Sequence, residues 1–262
     1  MHAAGYEPLN TLKPVADNIW IIDAEGRWLL GMPYPARCTV IRLQSGALWV
    51  HAPTALTDEL KAELDALGPV AHLIAADLAS CAHVPEWQRA YPAALVHALP
   101  GMAQRASKAG APIARAHELT EDAPAAWAGD IDLTIAQGSG DHGEAAFLHR
   151  ASSTLIVANL IEAVETARLP AWARPLIWLA GIDDADGKMR IDRRLRYSKA
   201  PLAEALERMI VWEPRRLILT HGRWYDRDAV GQLRRAFRRT LRDREWTAAM
   251  DRIEADRARK RR

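Results

Sequence analysis

Only two cysteines, Cys38 and Cys81, occur in 262 residues, too few for a disulfide framework. That scarcity suits a reducing compartment, and the cytoplasm is the expected location. No apolar run approaches the roughly 20 residues that a bilayer-spanning helix requires. The opening MHAAGYEPLN lacks the basic-then-apolar order of a secretory leader, so no membrane partner is expected. The net charge is only +2, too small to imply nucleic acid by itself. Internal repeats and low-complexity linkers are absent as well. What remains is 49% hydrophobic and 26% charged, the composition of a folded chain able to bury a sizeable core.

Basic residues do gather near the C-terminus, in LRRAFRRTLRDREW and RARKRR. Val230, Leu233, Phe237 and Leu241 recur there at helical spacing, with Arg234, Arg235, Arg238 and Arg239 on the other side. Acidic residues interrupt the segment and no aromatic stacking platform accompanies it. A solvated arginine face is therefore expected, ahead of a nucleic-acid or anionic-surface patch. The expected organisation is one domain over residues 1–242 and a basic helical tail over 243–262. The oligomeric state is not legible.

Along the chain, NIWIID, RCTVIRL and GALWVHA read as strands, the last two joined across Gln44-Ser45-Gly46. TALTDELKAELDALGP reads as a helix with Leu56, Leu60, Leu64 and Leu67 on one face and Gly68-Pro69 as its stop. AHLIAA and ALVHAL flank a short helix in VPEWQRAYP. Residues 101–128 are Ala-rich and are harder to assign to an element. IDLTIAQG, EAAFLH and STLIVAN follow as strands. A helical but broken stretch runs from Leu160 to about Tyr197. PLAEALERMIVW is an amphipathic helix, RLILTHG a strand, and a further helix starts near Asp226. Strand runs followed by strand–helix alternation predict two mixed sheets covered by helices.

Several segments together resemble the metallo-β-lactamase superfamily, and within it a bacterial and plant family without an established activity. They are LKPVADNIWIID, LGMPYPARCTVIRL, LWVHAPTALTDELKAELDALGPVAHLIA, PEWQRAYP, FLHRASSTLIVANLI and LILTHG. The resemblance implies an α/β (α+β) fold, a four-layer αββα sandwich with its site at one edge where loops from both sheets meet. It also implies a His-x-His-x-Asp-His motif after a strand, holding metals that generate hydroxide at neutral pH. Those four positions fall on Ala76, Leu78, Ser80 and Cys81, of which only Cys81 is a good ligand, as thiolate. The next histidine position lies near Gly140, two residues from His142. The bridging carboxylate is matched by Asn159, and the last histidine by His221.

The expectation is thus a hydrolase-like fold with a degenerate metal site and no metal or other cofactor. It would keep a small-molecule pocket around His51, Asn159 and His221. In that pocket His221 and His51 are the acid/base candidates, being imidazoles that titrate near neutrality when unperturbed. Asn159, Trp224, Tyr34 and Arg37 are the candidate ligand contacts. A neutral or cationic imidazole at His51 would replace some of the positive charge that metals provide. One alternative is a mononuclear hydrolase, with zinc on Cys81 and His221 and His142 or His83 completing the set. The other is anionic-surface or nucleic-acid binding through the C-terminal arginines. His149 reads as an exposed residue before a turn.

Overall fold

The computed structural model describes residues 6–25, 28–29, 32–33, 35–139, 142–180, 182–183, 187–190, 194–244, 246 and 250. Its first sheet takes β1 (Lys13–Ala16), β2 (Ile19–Ala24), β5 (Ala36–Arg42), β6 (Leu48–His51), β7 (Val70–Ala75), β8 (Leu95–Ala98) and β9 (Ala116–Glu118), side by side in that order. Between β2 and β5, β3 (Trp28–Leu29) and β4 (Met32–Pro33) form a separate two-stranded ribbon. The second sheet is β10 (Ile131–Gln137), β11 (Gly143–His149), β12 (Thr154–Val157) and β13 (Arg216–Leu219). The α-helices that accompany them include α1 (Asp58–Leu67), α2 (Val84–Ala90), α3 (Met102–Lys108), α4 (Arg174–Ala180), α5 (Lys199–Val211) and α6 (Ala229–Ala236).

Pairing changes from antiparallel to parallel at β6–β7, because the chain must cross over through α1 to bring β7 back in the same direction. Local chemistry makes that crossover. The Thr57 hydroxyl accepts from the Leu60 N–H at 3.2 Å, and Asp58 and Glu59 sit at the positive end of the helix dipole. Leu60 and Leu64 are fully buried beneath it. The β5–β6 turn closes at Gly46, whose φ of 83° is left-handed and suits a residue without a Cβ.

Side-chain alternation in the second sheet separates two cores. Ala145, Phe147, Ile156 and Ile218 join the large core shared with the first sheet and with α1, α2 and α3. Ala146, Leu148, Leu155, Val157, Leu217 and Leu219 point the other way, onto Leu202, Leu206 and Met209 of α5 and Leu233 of α6. The result is helix, sheet, sheet, helix, the expected αββα order. Trp49 and Trp87 are fully buried, as expected for packing residues, and Trp20 packs half-buried against the same core.

The Ala-rich region proves structured: α3 and β9 lie in residues 101–128, and β9 completes the sheet edge beside β8. In α6 and just beyond it, Leu233 and Phe237 are buried while Arg234, Arg235, Arg238 and Arg239 face solvent. Most of the tail from 243 to 262 lies outside the described residues. Where it begins, Arg244 pairs with Glu204 and Glu207 of α5. No described helix is long and apolar enough to cross a membrane.

Candidate ligand pocket

A cavity of about 330 Å³ opens at one edge, where loops of both sheets meet. Asp77, Leu78, Ala79 and Ala82 line it from the turn after β7, and His142, Gly143 and Glu144 from the start of β11. The face of α3 adds Arg105 and Ala106, and the segment before α5 adds Arg190, Arg196 and Tyr197. The turn after β7 is the place where the superfamily's first motif was expected, so cavity and motif coincide.

The two acidic residues here hold the walls. Glu144 is 1% exposed, and its carboxylate accepts from the N–H groups of Ala158 and Asn159 at 2.8 Å each and Leu160 at 3.0 Å. Three backbone donors on one carboxylate fix the loop after β12 against the start of β11. Asp77 accepts from the Ser80 N–H at 2.7 Å and the Ser80 hydroxyl at 2.5 Å, both on Oδ1. This shapes the turn Ala79–Cys81, a single 3-10 turn in which the Cys81 thiol donates to the Asp77 carbonyl at 3.3 Å.

The sequence-derived candidates divide around this cavity. His142 lines it; its Nδ1–H donates to the Ser139 carbonyl at 3.1 Å, and its Nε2 accepts from Arg196 at 3.0 Å. Asn159 stands one residue back, joined to the lining through Glu144, with its side-chain amide 2% exposed and both polar atoms without a partner among the described residues. His51 is fully buried at the end of β6, between Trp49, stacked at 6.0 Å, and the edge of Phe147 at 5.6 Å. Burial pushes its pKa down to about 4, against a weaker upward pull from the Asp77 carboxylate. His51 is therefore neutral at pH 7. Of the two charge states left open by the sequence, burial favours the neutral one, because water cannot reach the ring to solvate a charge.

His221 follows β13 and donates from Nδ1 to the Pro35 carbonyl at 2.7 Å. Gly222 after it has a φ of 85°, and a Cβ there would stand 2.0 Å from the Ala163 carbonyl oxygen, so only glycine fits. Arg37 reaches this loop from β5. Its guanidinium is 2% exposed, pairs with Asp23 at 2.7 Å, and donates to the Leu219 and Gly222 carbonyls at 2.8 Å each. Arg37 thus ties the first sheet to the end of β13. Trp224 is half-buried against the core between the sheets. His221, Arg37 and Trp224 do not line the cavity. Tyr34 lies outside the described residues.

Sequence reasoning missed Arg105, Arg190 and Arg196. Arg105 had a readable signal: Met102, Arg105, Ala106 and Ala109 are spaced as one helical face. Arg190 and Arg196 come from irregular chain, where no period reports which side faces a cavity. His149 was expected to be exposed but is 2% exposed, its Nδ1 2.8 Å from the Ser152 hydroxyl. The turn at residues 150–153 folds back over it.

Set against a pair of dications, the donors present do not fit. Among the described residues no three His, Cys, Asp or Glu side chains stand close enough together to hold a metal ion. Cys81 is fully buried with its thiol turned to a backbone carbonyl, and the second nitrogen of His142 is engaged by a guanidinium.

Two layers of helix around two sheets, with a cavity at one edge, define the metallo-β-lactamase fold, and solved structures agree. Metallo-β-lactamase from Pontibacter korlensis is similar at a TM-score of 0.61 and 12% identity, over 88% of this chain and 96% of that one. The metallo-β-lactamase from Hirschia baltica is similar at 0.57 and 12%, over 85% and 95%. A metallo-β-lactamase from Erythrobacter litoralis with β-mercaptoethanol in its active site is similar at 0.57 and 15%, over 88% and 93%. At these identities the likeness is one of fold. No curated protein matches the sequence. Residues 16–186 match the family described as Domain of unknown function (DUF4336), and the chain belongs to that family.

Proposed function

We propose that this chain is a member of the fold that works without paired dications and binds a small anionic molecule in the cavity at the sheet edge. The observation that carries the reading is the convergence of Arg105, Arg190 and Arg196 on one cavity of ligand-pocket size, at the edge where the fold's chemistry collects. Guanidinium groups recognise carboxylates and phosphates through planar, paired donors, and a partly enclosed setting strengthens that attraction relative to open water. Glu144 supports the reading because backbone N–H groups already hold both of its oxygens, and Ser80 holds Oδ1 of Asp77. His51 and Asn159 form the polar layer behind those two residues, and His221 secures the neighbouring loop through Pro35.

The test is titration of the isotopically labelled protein with acetate and with inorganic phosphate, followed by backbone amide shifts. Saturable shifts centred on His142–Glu144 and Arg196–Tyr197, weakened about tenfold in Arg105→Gln and Arg196→Gln, are expected. Shifts scattered over the surface, or unchanged affinity in both variants, would refute it.

A further inference from the structure

Helix α4 has no polar face. Ala173, just ahead of it, and Ile177 turn inward and pack with Val164, Leu169 and Ile182 in a small core of their own. On the outside, where charged side chains ordinarily lie, stand Pro175, Leu176, Trp178 and Leu179, with Trp172 in the turn before the helix. Leu176 is 44% exposed, Trp172 56%, Trp178 59% and Leu179 86%. Spacings of three and four residues make these side chains neighbours, so they form one continuous patch. A helix that is apolar all round belongs in an interior. The one charged residue of α4, Arg174, is half-buried at its start, where its Nε donates to the Leu169 carbonyl at 3.3 Å.

Area and charge identify what covers this face. A whole tryptophan carries up to about 250 Å² and a leucine somewhat less, so these exposures leave about 500 Å² of apolar surface on one molecule. Two such faces together bury about 1,000 Å², the threshold of a specific protein–protein interface. The charges at the two ends of α4 have opposite signs, with Arg174 at the start and Asp183 just past the end. Each stands at the wrong end for its own helix dipole, which is positive at the N-terminus and negative at the C-terminus. Against a helix running the other way, each stands at the right end. An anionic lipid surface would instead call for an excess of basic residues around the patch. Residues 165–183 carry Glu165 and Asp183 against Arg168 and Arg174, with no excess of either sign.

We infer that α4 is the contact of a two-fold symmetric dimer, in which the helices of two copies of this chain lie antiparallel with their apolar faces together. The two-fold axis brings Arg174 of each copy to the end of the other helix that carries Asp183, and it opposes the two dipoles. With an area at the threshold, the dimer is reversible and its affinity micromolar. No residue of α4 lines the cavity, so this inference is independent of the anion reading.

The experiment is sedimentation velocity of the full chain from micromolar to near-millimolar concentration, where a single monomer–dimer equilibrium is expected. Leu179→Glu enters a symmetric contact twice and should weaken association about tenfold or more. Leu179 is so exposed that the circular-dichroism spectrum of the variant should match the parent. Arg174→Glu and Asp183→Arg should each weaken the dimer several-fold, and the double variant should recover it, as the antiparallel order requires. A monomer at every concentration overturns the inference. So does association that Leu179→Glu leaves unchanged, that runs on to larger species, or that the double variant fails to recover. Monomeric protein that co-sediments with phosphatidylserine vesicles, and no longer does so as Leu179→Glu, also overturns it and gives the face to a lipid surface.

Discussion

His51 provides a quantitative test of the packing between the sheets. Its ring is fully buried beside Trp49 and Phe147, and burial holds its pKa at about 4 against 6.5 for a free imidazole. A pKa depressed in the folded state means that the unfolded chain binds the proton more readily. The stability this neutral ring confers is fully present above pH 6.5 and is lost as pH falls toward 4. For one group with those two values, linkage predicts a loss of about 2 kcal/mol by pH 5 and about 3 kcal/mol by pH 4. Carboxylates also begin to titrate there, so the measurement is a difference. Urea unfolding of the parent and of His51→Phe is followed between pH 4 and 8. Phenylalanine keeps a flat ring in the same aromatic setting and removes the titration. The parent should lose about 2 kcal/mol more than the variant between pH 7 and pH 5. Parallel pH profiles in the two proteins would refute the argument, because His51 would then titrate as it does in water.

Arg37→Met should cost about 3–5 kcal/mol in chemical denaturation, since it leaves Asp23 buried with only Lys13 beside it and removes two donors from the β13 loop. The double variant with Asp23→Asn should recover part of that loss, and strict additivity would show that the pair does not couple. Equilibrium dialysis against zinc, manganese and iron should leave the protein well below one metal per chain, and equally so in Cys81→Ser and His221→Ala. Near-stoichiometric metal that falls in both variants would overturn the metal-free reading and direct attention to hydrolysis.

Most of the fold could be read before any coordinates. The helix at 58–67 announced itself through the leucine face and the Gly68-Pro69 stop, signals acting within one or two turns. The β5–β6 hairpin, the strands of the second sheet and β13 were legible for the same reason: alternation and turn residues act locally. β9 was not, because a three-residue edge strand draws its order from pairing with β8 rather than from its own pattern.

Which residues share the cavity was decided only by tertiary structure. His51, Asn159 and His221 were expected around one pocket; the cavity instead takes His142 with Arg105, Arg190 and Arg196, drawn from β11, α3 and the irregular chain before α5. Nor could sequence reveal that His51 is neutral or that Arg37 holds the two sheets together. Burial and long-range pairing set both. Residue type supplies the chemistry a side chain can perform, but the fold determines which neighbours and how much water it meets, and so its charge and its role.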